Sequence, residues 1–169
     1  MDAITKLEFS DERFQTLIRP LVGLACCRSK VGGFFSLSLG FGKLVPIPML
    51  KSGRRLNTAH YGEWEIGSYF CSWRVIRRSD ILYSGSNNIG SESELDERIA
   101  NVDFGCFMSI VQLSKWDVRI ECTADLFIDF LGIDSHDESF HVFCPNNVSI
   151  VFKPGSGWFV GPSNKPWEA

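Results

Sequence analysis

No stretch of this chain is long and apolar enough to cross a bilayer. The longest apolar run, 21–27, falls far short of the roughly 20 residues a spanning helix needs. The first ten residues have neither the basic start nor the apolar core of a secretory leader, so a cytoplasmic protein is expected. Alanine is scarce beside 14 Phe and 15 Gly, which turns the expectation from a helical bundle to strands and turns. No G-x-S-x-G, P-loop or dinucleotide fingerprint occurs, and Gly32-Gly33 and 40–42 lack a strand-to-helix context. No regular D-x-D-x-D-G loop is present to bind calcium. A net charge of −3 leaves no basic excess for nucleic acid. RNA binding would rest on Phe34-Phe35 and a brief basic loop, 51–55, without an RRM-like signature.

What is present describes one domain of ordinary globular composition. The 169 residues are 44% apolar and 22% charged, enough for a core of real size. Such a chain needs no staples, so its six cysteines are expected reduced. Cys71, Cys106, Cys122 and Cys144 lie in apolar strand patterns, where a free thiol behaves as a small hydrophobe. Adjacent Cys26 and Cys27 are poorly placed to bridge each other.

The pattern along the chain is α+β, mostly antiparallel sheet with two short helices. Ser10 reads as the cap of a first helix, 11–19, with Phe9 and Phe14 as its staple and Pro20 at its end. A buried strand follows over 21–27, then a turn at 28–30 and the alternating strand 33–41. Two prolines, Gly53 and paired arginines make 42–61 a loop. The densest stretch, GEWEIGSYFCSWRV over 62–75, reads as one central strand covered on both faces. Arg74 beside it calls for a carboxylate or carbonyl partner. After a turn at 77–80 and a short strand 81–83, Ser91 and Glu94 form a capping box opening the second helix, whose stripe is Leu95, Ile99 and Val102. Strands at 106–113, 118–122, 126–131, 140–144 and 148–152 follow, with a Pro145-Asn146-Asn147 turn between the last two and an edge strand at 158–160. The two halves, about 9–85 and 90–160, repeat this order at low residue identity. An internal pseudo-repeat within the single domain 1–169 is therefore an open expectation.

The chemistry offered by these residues is sparse. His141 and Cys144 form an H-x-x-C pair with His136 upstream. No CxxC or HxxxH completes a zinc set, and residues three apart in a strand face opposite ways. Neither a metal nor another cofactor is expected. A nucleophilic pair of Cys26 or Cys27 with His60 would need an orienting group and an oxyanion hole that spacing does not locate.

Charge is unevenly spread. Residues 1–78 carry 12 Lys/Arg against 6 Asp/Glu, whereas 79–169 carry 5 against 14. Two acidic clusters stand out: Asp134, Asp137 and Glu138 on a hairpin connection, and Glu92, Glu94, Asp96 and Glu97 at the start of the second helix. These seven residues are the candidate partner-binding set, suited to a basic protein surface rather than to nucleic acid or membrane.

The segments LVGLACC, GGFFSLSLGFG, GEWEIGSYFCSWRV and NVSIVFKPGSGWF together resemble a family of small uncharacterised bacterial proteins. Its outline is a leading helix, a strand ending in Phe-Gly, a G-E-W strand closing on W-R, and a last hairpin before an aromatic tail. The likeness spans about 17–160. Small acidic proteins of this kind are similar to the immunity proteins that neutralise polymorphic toxins, including those of contact-dependent growth inhibition. The resemblance implies a non-enzymatic cytoplasmic protein that binds a cognate toxin domain. The alternatives are a small enzyme with a cryptic Cys/His or carboxylate site, or a structural or ligand-binding module.

Overall fold

The computed structural model describes residues 4–46, 60–69, 72–85, 90–133 and 140–163. Among them the order is β1 (Thr5–Leu7), α1 (Glu12–Ile18), β2 (Cys26–Val31), β3 (Leu37–Pro46), β4 (His60–Gly67), β5 (Ser72–Arg77), β6 (Asp80–Ser84), α2 (Glu92–Ala100), β7 (Phe107–Gln112), β8 (Asp117–Cys122), β9 (Leu126–Leu131), β10 (Phe140–Cys144), β11 (Val148–Lys153) and β12 (Gly157–Pro162). A seven-stranded antiparallel sheet runs β1-β12-β11-β10-β4-β3-β2, and a five-stranded one β6-β5-β9-β8-β7. The α+β architecture expected from the alternating patterns is the one observed. Among the described residues no helix is long and apolar enough to cross a membrane.

The stretch 62–75 is two strands, not one. The chain leaves the larger sheet at Gly67 and enters the smaller at Ser72. Alternation on either side of the switch therefore refers to two different sheets. Trp64 and Ile66 point into the core from one, Trp73 and Val75 from the other. Gly67 marks the departure, because a Cβ there would lie 2.4 Å from the carbonyl oxygen of Leu37.

Five local expectations are also corrected. Asp11, not Ser10, caps α1, its carboxylate accepting from the Arg13 amide at 2.8 Å. The helix stops at Ile18, and Pro20 sits in a 3-10 turn, Arg19–Leu21. Of the run 21–27 only Cys26 and Cys27 are in a strand, β2, since Gly23 turns the chain at φ 84° and residues 23–26 bond to 105–107. The expected turn at 28–30 is the middle of β2, an edge strand of the kind that carries polar and charged residues. Finally, 33–35 is a 3-10 turn with Phe34 and Phe35 at positive φ, and the regular strand begins at Leu37 and runs past Phe41 to Pro46.

The sheets bury their inner faces on each other. Phe41 of β3 meets Phe107 of β7 at 5.7 Å between ring centroids, and Phe130 of β9 meets Phe140 of β10 at 5.1 Å. One end of β7 thus lies under β3. At its other end Gln112 accepts from the Trp158 indole of β12 at 2.9 Å. β3 and β12 are four places apart in the larger sheet, about 19 Å at the usual strand spacing, and β7 is about 17 Å long over those residues. β7 therefore crosses the strands of the larger sheet steeply, as in orthogonal sheet packing.

The halves interleave. The meander β2-β3-β4 belongs to the larger sheet and the hairpin β5-β6 to the smaller, whereas β7-β8-β9 belongs to the smaller and β10-β11-β12 to the larger. The seams are β4–β10 and β5–β9.

Candidate functional site

Outward from the core, the larger sheet carries a row of three residues in register: Arg28 on β2, Gly40 on β3 and Glu65 on β4. Glycine in the middle allows the outer two to meet. A Cβ on Gly40 would come within 3.0 Å of Glu65 Oε1 and of the Gly62 backbone. Without it, Arg28 Nη1 reaches across to both oxygens of Glu65, at 3.1 and 3.3 Å. The Gly62 amide donates to Oε1 at 2.7 Å and the Ser38 hydroxyl to Oε2 at 2.6 Å. Glu65 is only 6% exposed, and each of its oxygens has two donors, as a buried carboxylate requires. Arg28 lies 5.4 Å from the Tyr61 ring centroid, in cation–π range.

Beside this pair the sheet face opens into a pocket of about 520 Å³, whose far wall is Ser68, Tyr69, His141 and Phe143. His141 on β10 pairs with Gly67 on β4, which brings it next to Ser68. Its ring stacks on Tyr69 at 4.5 Å and meets Phe143 at 4.7 Å. Burial drives the His141 pKa down to about 3, so the imidazole is neutral near pH 7. Its Nδ1 and the Ser68 Oγ are both buried, with no hydrogen-bond partner among the described residues. Native interiors rarely leave such groups unpaired. Two in one pocket wall mark it as unfinished.

The smaller sheet has a buried carboxylate too. Asp129 on β9 is wholly buried, and its register neighbours are Arg74 on β5 and Arg119 on β8. Arg74 Nε donates to Oδ2 at 2.9 Å, and Arg119 donates to Oδ1 at 2.6 Å and to Oδ2 at 3.0 Å. The carboxylate partner that Arg74 called for is thus Asp129.

The expected partner-binding residues divide. Asp134, Asp137 and Glu138 lie outside the described residues. Of the α2 cluster, Asp96 is committed to the fold: it pairs with Lys30 and accepts from the Val31 amide at 2.7 Å. Glu92 accepts from the Phe35 amide at 3.4 Å, helping hold the strained 33–35 turn. Glu94 pairs with Arg98 along the helix at 2.7 Å while its amide bonds to the capping Ser91. Glu97 is exposed. The cluster is therefore partly a clamp between α2 and β2 rather than a free acidic face.

Cysteine chemistry finds little support in this geometry. Cys26 pairs with Phe41 and His60 with Pro46, five residues further along β3 and so about 17 Å away. Burial pushes the thiols of Cys26, Cys122 and Cys144 up to about 12 and raises that of Cys27. Protonated thiols are poor nucleophiles and poor metal ligands. Among the described residues, no group of three or more His, Cys, Asp and Glu could hold a metal ion.

Of Arg28, Glu65, Ser68 and His141, the sequence points only to His141, and only as half of an H-x-x-C pair. Glu65 alternates with Trp64 and Ile66 as any solvent-facing residue would. Only the pairing of β2, β3, β4 and β10 assembles the four, and no local spacing encodes that pairing. No family model, no curated protein and no solved structure matches this chain.

Proposed function

We propose that the chain is a non-enzymatic cytoplasmic binding protein of the immunity type, which neutralises a cognate bacterial toxin domain by taking part of its surface into the Glu65–His141 pocket. The carrying observation is the pocket itself: a cavity of about 520 Å³ with two buried, unpaired polar atoms in its wall. Its ionisable groups are held in states suited to binding rather than reaction. The Cys144 thiol is protonated and the imidazole neutral. Both Glu65 oxygens are already engaged. A small enzyme is the alternative that the lining invites, since carboxylate, imidazole and thiol share it. General acid–base work, however, needs a pKa near the operating pH, and His141 lies far below it.

The test is co-expression with a candidate toxin domain from a reading frame next to this chain's gene, followed by co-purification and a growth-rescue assay. Capture by the wild type and its loss in the Ser68→Ala, His141→Phe double variant is the expected result. Capture that survives in this variant but fails when Glu94 and Glu97 are both reversed to Lys would return the interface to the acidic helix. Absence of capture by the wild type would remove the immunity reading for that pair.

A further inference from the structure

We infer that the pocket is built to receive an uncharged planar group carrying a hydrogen-bond acceptor beside a donor, as a carboxamide does. This rests on the reading above that the pocket is the recognition site.

Charge balance argues first. Arg28 and Glu65 neutralise each other, Lys30 is committed to Asp96, and His141 is neutral. The remaining ionised group in the lining, Glu63, is exposed to water. An anion entering the pocket would lose its hydration without finding an unspent positive charge, and a cation would meet only the water-exposed Glu63, a weak partner. A neutral group meets no such penalty.

Hydrogen-bonding capacity argues second. Arg28 uses Nη1 alone, so Nε and Nη2 have no partner among the described residues. Those N–H groups can only donate, and a ligand carbonyl can accept from them. The Ser68 hydroxyl and a neutral imidazole nitrogen can each accept from a ligand N–H. An amide supplies both partners in one plane. The walls suit that plane, since Tyr69, His141 and Phe143 form a contiguous array of rings. In the free protein the two unpaired atoms are shielded from water. Tyr69 stacks on the His141 ring and is 40% exposed, so a planar ligand has an aromatic face to lie against at the pocket mouth.

The probes are three near-isosteres differing in charge: benzamide, benzoate and benzamidine. Each is titrated into 15N-labelled full-length protein at equal concentration, with amide shifts followed by NMR. Benzamide should move the signals of Ser68, Tyr69, His141 and Phe143, and the two ions should not. Loss of a buried hydrogen bond should weaken benzamide by about tenfold in Ser68→Ala and in His141→Phe. Ser68→Ala should also raise the thermal midpoint of the free protein, because it deletes a buried hydroxyl without a partner. A structural hydroxyl would lower it.

Tighter binding of benzoate or benzamidine, no response to benzamide, or a lowered midpoint in Ser68→Ala each overturns the inference. Toxin capture separates this failure from that of the proposed function. If Ser68→Ala, His141→Phe abolishes capture while benzamide does not bind, only the amide inference falls. If capture survives in that variant while benzamide binds the wild type, the pocket is a ligand site but not the toxin interface.

Discussion

Glu65 and Asp129 occupy matching places, each on the outward face of a strand in the interior of its sheet and each answered by arginine. They differ in the residue lying next to them in register. Asp129 has an arginine on either side, and the two guanidiniums close over it. Glu65 has Gly40 on one side and Phe143 on the other, and its arginine reaches in from the strand beyond the glycine. The same buried ion pair therefore seals one sheet and opens a pocket on the other. A missing side chain makes the difference.

The largest expected effect tests the sealed side. Replacing Arg74 and Arg119 together by Ala leaves Asp129 buried and unpaired, which should lower stability by about 3–5 kcal/mol. Urea denaturation measures it. A loss below about 1 kcal/mol, typical of exposed pairs, would mean that water already reaches Asp129 and the contrast would collapse.

Arg28→Ala should cost less, about 1.5–3 kcal/mol, the usual range for a hydrogen bond to a charged group. Ser38 and the Gly62 amide remain on Glu65, and the adjoining pocket admits water. A loss equal to that of the double arginine variant would show that the pocket does not hydrate the carboxylate.

Acid should act through the pocket wall. The folded pKa of His141, about 3, lies below its ordinary 6.5, so the unfolded chain takes up a proton that the folded one refuses. Stability from this group is complete above about pH 6.5. It falls by about 1.4 kcal/mol per pH unit as pH drops from there towards 3. Urea midpoints of the wild type and of His141→Phe at pH 7, 6 and 5 should diverge accordingly. Parallel curves would show that the imidazole is solvated.

The smallest change belongs to the acidic helix. Glu94→Gln breaks only a half-exposed pair with Arg98 and should cost about 0.3–0.5 kcal/mol. Thermal melts suffice to measure it, and a loss above about 1 kcal/mol would give this end of α2 a weight in folding comparable to the pocket.

The legible parts of the molecule are those fixed by neighbours in sequence. Alternation marks β8, β9, β10 and β11 within a residue or so, and Ser91 caps α2 as its spacing suggests. Asn146 and Asn147 turn the β10–β11 hairpin at positive φ, as their residue types favour. β1 leaves no signal in the sequence, because three residues, Thr5–Leu7, are too few to show a period. The switch between sheets after Gly67 was hidden for a different reason. The apolar pattern continues across it, and the contact that ends β4 is with a backbone carbonyl thirty residues earlier. The pocket was invisible on the same ground. Arg28, Glu65 and His141 are ordinary strand residues until antiparallel register makes them neighbours.

The seam between β4 and β10 also sets a clock on the newborn chain. When Gly67 leaves the ribosome, the strand that will cover its free edge is about 70 residues away. At usual translation speeds of about 5–20 residues per second, that edge waits on the order of 4–15 s. An unpaired edge beside an apolar face is a template for other chains. The interleaving that gives the finished protein one undivided core thus leaves its synthesis exposed to misassembly for seconds, until Phe140 and the strand it begins arrive.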